Sequence, residues 1–275
     1  DAAKEMRERV KEKTGEDIEI RTFHSIGRSI VQNYEGSKNK ISDAATSEYV
    51  NKNLITNIIR EMLKNEKTRN LVMSFISYHR YPAKYLEDFK TNTDYFEYLR
   101  KHEPETLKGE RVKSFEELLI ADWLYLNGVY YEYEYPYEHK TSSMQRNQYR
   151  PDFFLGDSKY LEHFGINKEG RTAPQINSYE YNQSIVWKRN LHRQKRTILI
   201  ETYSWERQEG VILKNLEKKL SDIGISIKPN DPQIIKELFE REDVNKKLVS
   251  LVADFLQILK RDNILSKKFQ TISQE

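Results

Sequence analysis

The chain contains no cysteine. That excludes a disulfide framework, a cysteine nucleophile and any cysteine-ligated zinc or iron–sulfur centre, and it fits a reducing compartment such as the cytoplasm. Glycine and proline are scarce, 10 and 7 in 275 residues, so long structureless tracts are not expected. No apolar run approaches the roughly 20 residues of a membrane-spanning helix, and no secretory leader is legible, so no membrane partner is expected. A large excess of one charge is also missing. Lysine and arginine number 46 against 43 aspartate and glutamate, a formal net charge of +3. Bulk charge therefore names no partner, and any case for nucleic acid must come from where the charges sit.

What is plentiful is charge of both signs, at 32%, and aromatic residues, at 12%, with 18 Tyr and 11 Phe. Aromatic rings bury large areas, so a packed core is feasible despite the modest 37% apolar content. The length exceeds one typical domain. The chain opens in helical texture at Asp1-Ala2-Ala3-Lys4 without an initiator Met, which reads as a piece of a longer protein.

Residues 2–13 carry good helix formers and Gly15 closes them. Ile18-Glu19-Ile20-Arg21-Thr22 alternates as a short strand, and a helix follows over 24–33, then a polar loop over 35–43. From 47 to about 102 the apolar spacing is helical, through Leu54, Ile58, Ile59 and Leu63 and again through Leu71, Phe75 and Ile76, with a break at Tyr81-Pro82. At Lys113 the texture changes. Ser114 with Glu117 three residues on has the form of a capping box, and the helix it opens runs to Asn127-Gly128. Strands are expected over 129–135, 152–155, 159–164 and 197–202. A strongly basic helix is expected over 178–195 and another over 210–223, and residues 231–265 turn helical again behind Pro232.

Three carboxylates fall at telling places in this central block. Glu117 lies in its first helix, Asp152 opens its second strand, and Glu162 sits ten residues later across a turn. If those strands form a hairpin, Asp152 and Glu162 face each other. Converging carboxylates are hard oxygen ligands for Mg²⁺ or Mn²⁺, and such an ion acidifies and aligns a water at a phosphate. Any one of them taken alone reads as an exposed charge. Acids embedded in Tyr160-Leu161-Glu162-His163-Phe164 and before Phe153-Phe154-Leu155, however, need a partner or a metal. The helix over 178–195 and its end carry Lys188, Arg189, His192, Arg193, Lys195 and Arg196, a cluster suited to phosphate contacts. Trp187, Trp205 and the tyrosines over 130–135 could stack on bases, with core packing the stronger reading.

Arg150-Pro151-Asp152 followed by Tyr160-Leu161-Glu162-His163-Phe164-Gly165 resembles the signature of PD-(D/E)XK nucleases, in the branch near very-short-patch repair endonucleases. Ser114-Phe115-Glu116-Glu117 with Ile120-Ala121 is similar to that fold's first helix, with Glu117 fitting the spacing better than Glu116. The resemblance covers about 112–225. It implies a restriction-endonuclease-like α/β core, a mixed sheet flanked by helices. It also implies a divalent metal held by Asp152, Glu162 and Glu117. The motif's last position should be lysine and is Phe164. In the repair-like branch that lysine can migrate to the following helix, which implies Lys188 as the catalytic lysine with His163 or His192 as an accessory. Arg189, Arg193 and Arg196 would contact DNA.

Ala2-Ala3-Lys4-Glu5-Met6-Arg7-Glu8-Arg9 followed by Arg21-Thr22-Phe23-His24-Ser25-Ile26-Gly27 resembles UvrD/Rep-type superfamily 1 helicases, and a nuclease inserted in the accessory subdomain is similar to some helicase IV-like proteins. There a Thr-Phe-His-Ser segment contacts single-stranded DNA, which implies Thr22, Phe23 and His24 as DNA-binding positions. The organisation implied is a piece of the first RecA-like domain over 1–33, a helical accessory subdomain over 34–111 and 226–275, and the nuclease-like domain over 112–225 inserted in it. No G-x-x-x-x-G-K-[ST] loop occurs, so ATP is expected to bind the parent protein and not this fragment. The partners implied are single-stranded or branched DNA and the remainder of the helicase chain. The function implied is metal-dependent DNA cleavage in repair, recombination or defence. A nuclease-like clamp without catalysis is the alternative, and a structural insert that docks a partner protein is a third reading.

Overall fold

The structure is a computed structural model and describes residues 2–36, 42–79, 84–143, 147–228 and 231–261. The expected break at Tyr81-Pro82, part of the loop over 35–43 and the end of the last helix lie outside the described residues. The chain divides into two compact units, Asp1–Leu54 and Ile55–Glu275.

The first unit holds α1 (Ala2–Thr14), α2 (Phe23–Glu35), α3 (Asp43–Thr46) and the opening turns of α4 (Glu48–Met62). Thr22 starts α2 because its side chain accepts a hydrogen bond from the Ser25 N–H, and Gly36 ends it in a left-handed conformation. The strand expected at Ile18–Thr22 is not formed: these residues carry no ladder hydrogen bonds. Alternation alone makes no strand, because a strand needs a neighbouring one to satisfy its backbone.

In the second unit, helices from the two ends of the segment share one core. Ile55, Ile59 and Leu63 from α4 and its end, and Val72 and Ile76 from α5 (Glu66–His79), pack with Ile235, Leu238 and Phe239 of α11 (Pro232–Glu240) and Val244, Leu248 and Val249 of α12 (Glu242–Arg261). Arg60 forks onto both carboxylate oxygens of Glu240, at 2.7 and 2.6 Å. Between them in sequence lie a 3₁₀ turn at Leu86–Asp88, α6 (Asn92–His102) and an α/β block.

That block is built on α7 (Phe115–Leu126), β1 (Glu132–Tyr133), β2 (Phe153–Phe154), β3 (Lys159–Phe164), α8 (Ser178–Lys195), β4 (Ile198–Tyr203), α9 (Ser204–Gln208) and α10 (Ile212–Asp222). The four strands form one mixed sheet in the order β1-β2-β3-β4, with β1, β2 and β3 antiparallel and β3 parallel to β4 across the α8 crossover. One cluster packs α7 and α10 against strand residues, through Ile120, Leu124, Phe153, Leu161, Ile200 and Leu216. A second packs α8 against the block through Tyr137, Tyr149, Tyr160, Trp187 and Leu191. The expected long strand over 129–135 shrinks to two paired residues, and just after them Glu134 takes a positive φ of 49°, outside the strand region. Val129 and Tyr131 still alternate inward.

Candidate active site

The register of the β2–β3 hairpin pairs Phe153 with Leu161 and Phe154 with Tyr160, so one step further Asp152 lies opposite Glu162. Asp152 Oδ2 accepts the His163 backbone N–H at 2.7 Å. Glu162 is 1% exposed. Its Oε1 accepts the Tyr149 hydroxyl and its Oε2 the Lys188 ammonium, each at 2.6 Å. Glu117 is held by its own helix start: Ser114 caps α7 by accepting the Glu117 N–H and returns its hydroxyl to Oε1. Its Oε2 takes the Lys113 N–H and the Tyr133 hydroxyl. Lys188 reaches across from α8, its Nζ lying 5.4 Å from the ring centre of Phe164. Phe164 itself is buried against Ile166 and Ile185. The helix thus delivers an ammonium beside the strand position where the motif resemblance expects one.

Burial, then the charge of Asp152, raises the Glu117 carboxyl to about 7. Burial followed by the charge of Glu162 raises Asp152, and burial raises Glu162 although Lys188 opposes it. Three acids that repel one another in one place can be relieved by protons or by a cation.

Glu116, one residue from Glu117, turns elsewhere. Its oxygens accept from Arg207 Nε at 2.9 Å and the Ser204 hydroxyl at 2.9 Å, and lie 3.0 Å from His163 Nε2. Burial alone would raise Glu116, but His163 and Arg207 outweigh it and hold the carboxyl at about 2. His163 moves the other way: burial disfavours its charge, and the Glu116 carboxylate raises it above the usual 6.5. His163 therefore braces strand β3 through a buried ion pair, and it is the backbone of this residue that holds Asp152. Glu116→Ala should destabilise the fold by about 3–5 kcal/mol in urea unfolding, because it strands two cations in the interior. The contribution of Glu116 should be present above pH 4.5 and fade as pH falls toward 2. A wild-type-like midpoint would refute that role.

His192 is 2% exposed and stands behind the carboxylates, its Nε2 3.2 Å from the Tyr149 hydroxyl. Arg189 is not free for DNA in this state, since Glu201 grips it at two points, 2.7 Å each. Arg193 and Arg196 are exposed at the C-terminal end of α8, with Arg193 bonded to Asn190. Thr22 and Phe23 belong to the first unit, where Phe23 is 93% exposed, and the side chain of His24 lies outside the described residues. Trp187 packs inside the block, and Trp205 stacks on Tyr203. Two tyrosines touch the acids: Tyr133, which the sequence offers only for base stacking or core packing, and Tyr149, which nothing in spacing separates from the other tyrosines. A cleft of about 340 Å³ opens beside Glu117 and His163, lined also by Tyr95, Arg171 and Tyr181.

Among the described residues no group of three or more His, Asp or Glu side chains is gathered closely enough to hold a metal ion by itself. The donor set nonetheless suits Mg²⁺ or Mn²⁺, because Mg²⁺ is commonly held by one or two carboxylates and completes its shell with waters and phosphate oxygens. Asp152 and Glu162 are such a pair, and burial is the main cause of the raised proton affinity of both. No helix among the described residues is long and apolar enough to cross a membrane.

With a mixed four-stranded sheet set among helices, the chain belongs to the UvrD/REP helicase N-terminal domain family, whose model matches residues 1–273. Membership places it in the context of a DNA helicase and of ATP-driven hydrolase chemistry. No curated protein and no solved structure matches it.

Proposed function

We propose that the α/β block over 112–225 is a PD-(D/E)XK-type nuclease with a restriction-endonuclease-like core, inserted in the helical accessory subdomain of a UvrD-like DNA helicase. The observation that carries this reading is the meeting of Asp152, Glu162 and Lys188: an acid pair across a β-hairpin, with an ammonium 2.6 Å from Glu162 that comes from the next helix. The shared core of the helices on either side of the block supports insertion, because an inserted domain leaves its host's core joined across it. The piece over 1–33 would belong to the first RecA-like domain.

Asp152 and Glu162 would hold a Mg²⁺ or Mn²⁺ ion, with Glu117 nearby, and when bound the ion supplies an acidified, aligned water and charge stabilisation at the phosphate. The chain's own groups do the rest. His163 N–H fixes the rotamer of Asp152, Tyr149 and Lys188 fix Glu162, and the Lys188 ammonium would stabilise the negative charge that develops at the phosphate. Arg193 and Arg196 would contact single-stranded or branched DNA at the block, and in the first unit Thr22, Phe23 and His24 would be DNA-binding positions of their own. ATP would bind the parent protein and not this fragment, and the cytoplasm would be its compartment. One observation favours a second reading, a clamp without catalysis: Phe164 occupies the motif's lysine position.

The site is tested by thermal unfolding with and without Mn²⁺. Glu117, Asp152 and Glu162 favour the protonated form when folded, so the metal-free protein loses stability as pH rises from 4.5 through about 7. A cation needs the ionised forms, so its benefit grows across the same window. At about 100 times Kd the gain is about 2.7 kcal/mol, roughly 5–10 °C in Tm for a unit of this size. It should shrink at pH 5 and vanish in Asp152→Ala. A Tm indifferent to Mn²⁺ at pH 8 would count against a metal site.

A further inference from the structure

Behind Glu162 runs a line of polar groups, buried except for the half-buried Thr197, of which the reaction as described uses Tyr149 alone. The Tyr137 hydroxyl lies 2.7 Å from Thr197 Oγ1, which lies 2.7 Å from His192 Nδ1. His192 Nε2 is 3.2 Å from the Tyr149 hydroxyl, and that hydroxyl is 2.6 Å from Glu162 Oε1. Tyr137, His192 and Glu162 are each no more than 2% exposed, and Tyr149 is 7% exposed.

Donor counting gives this line one direction. In its ionised form, the form a cation binds, Glu162 only accepts, so the single Tyr149 hydrogen goes to it, the shorter and charge-assisted contact. The Tyr149 oxygen must then accept from His192 Nε2, which therefore carries a proton. Burial and the Lys188 charge lower His192 to about 4, so its ring is neutral and Nδ1 is an acceptor. Thr197 gives its one hydrogen to Nδ1 at 2.7 Å rather than to the His192 carbonyl at 3.5 Å, and accepts in turn from Tyr137.

We propose that Tyr149 and His192 are positioning residues, the end of a one-way chain Tyr137 → Thr197 → His192 → Tyr149 that locks the Glu162 carboxylate for a divalent cation. A carboxylate offers about four lone-pair sites. Tyr149 and Lys188 take one on each oxygen, and the remainder stay directed at the site. The metal half of this inference rests on the nuclease reading, whereas the proton placement does not.

The experiment has two readouts on the metal-free and Mn²⁺-titrated protein. Imidazole ¹H–¹⁵N spectra, with the His192 signal assigned by its loss in His192→Gln, should give a neutral ring with its proton on Nε2. That signal should move in Tyr149→Phe. Calorimetric Mn²⁺ affinity should fall about 10- to 100-fold in Tyr149→Phe and His192→Leu. It should return toward wild type in His192→Gln, which keeps an N–H for Tyr149, while Tm and DNA affinity in EDTA hold. A proton on Nδ1, an imidazolium at neutral pH, or wild-type Mn²⁺ affinity in Tyr149→Phe would overturn the chain. A wild-type protein that binds Mn²⁺ through Asp152 yet never cuts DNA would refute the nuclease and leave this inference standing.

Discussion

Asp152→Ala should bind DNA at least as tightly as the wild type and cut it on the order of 10⁴-fold more slowly, the scale of loss when one member of a catalytic unit is removed. The two halves of that result have different causes. Asp152 sits opposite Glu162, and its charge adds to burial in raising Glu117 to about 7. Removing it takes away one cation ligand, so cleavage falls. It also takes away a negative charge that repels phosphate, so binding in EDTA does not fall. The acid limb of any residual activity should move down in pH, because Glu117 and Glu162 lose a like-charged neighbour. Parallel cleavage and filter-binding measurements check this. Equal losses of binding and cutting would mean that Asp152 is structural.

Lys188→Met should lower cleavage by about 10²- to 10³-fold, the scale for removing one preorganised charge from a developing anion. Methionine keeps most of the stem's volume but loses the ammonium that lies over the Phe164 and Tyr149 rings. The loss of the ammonium leaves Glu162 buried with the Tyr149 hydroxyl as its remaining side-chain partner. Its carboxyl is already raised by burial, and it would rise further without the opposing charge. The protein answers by keeping Glu162 protonated to higher pH, which limits the stability cost to about 1–3 kcal/mol and shifts the acid limb of the cleavage profile upward. A variant that cuts like the wild type would make Lys188 one more surface cation and remove it from the catalytic set.

Much of the block was legible because local chemistry specified it. Ser114 with Glu117 predicts where α7 begins, and the hydroxyl does cap the helix there. The runs over 159–164 and 178–195 become β3 and α8 at those bounds. Other features were not legible, for physical reasons. Ile18–Thr22 alternates but lacks a partner strand, and pairing is a property of two segments. α9 is five residues long and starts after Tyr203, with no periodicity to betray it. Glu116 and Glu117 differ by one position in sequence but by about 100° around the helix, so one meets His163 and Arg207 and the other the charge of Asp152. The part played by Tyr149 depends on a fold-back that brings it onto Glu162 and His192, and nothing in the sequence announces it. Arg189 belongs to a basic cluster by sequence, yet Glu201 on the neighbouring strand neutralises it.

The most direct test of the central claim is cleavage of labelled single-stranded and forked DNA by this chain with Mg²⁺, with Mn²⁺ and with EDTA. The account predicts cutting with either metal, none in EDTA and none in Asp152→Ala. Intact DNA under every condition, with binding preserved and Mn²⁺ bound at Asp152, would contradict it and leave a DNA clamp.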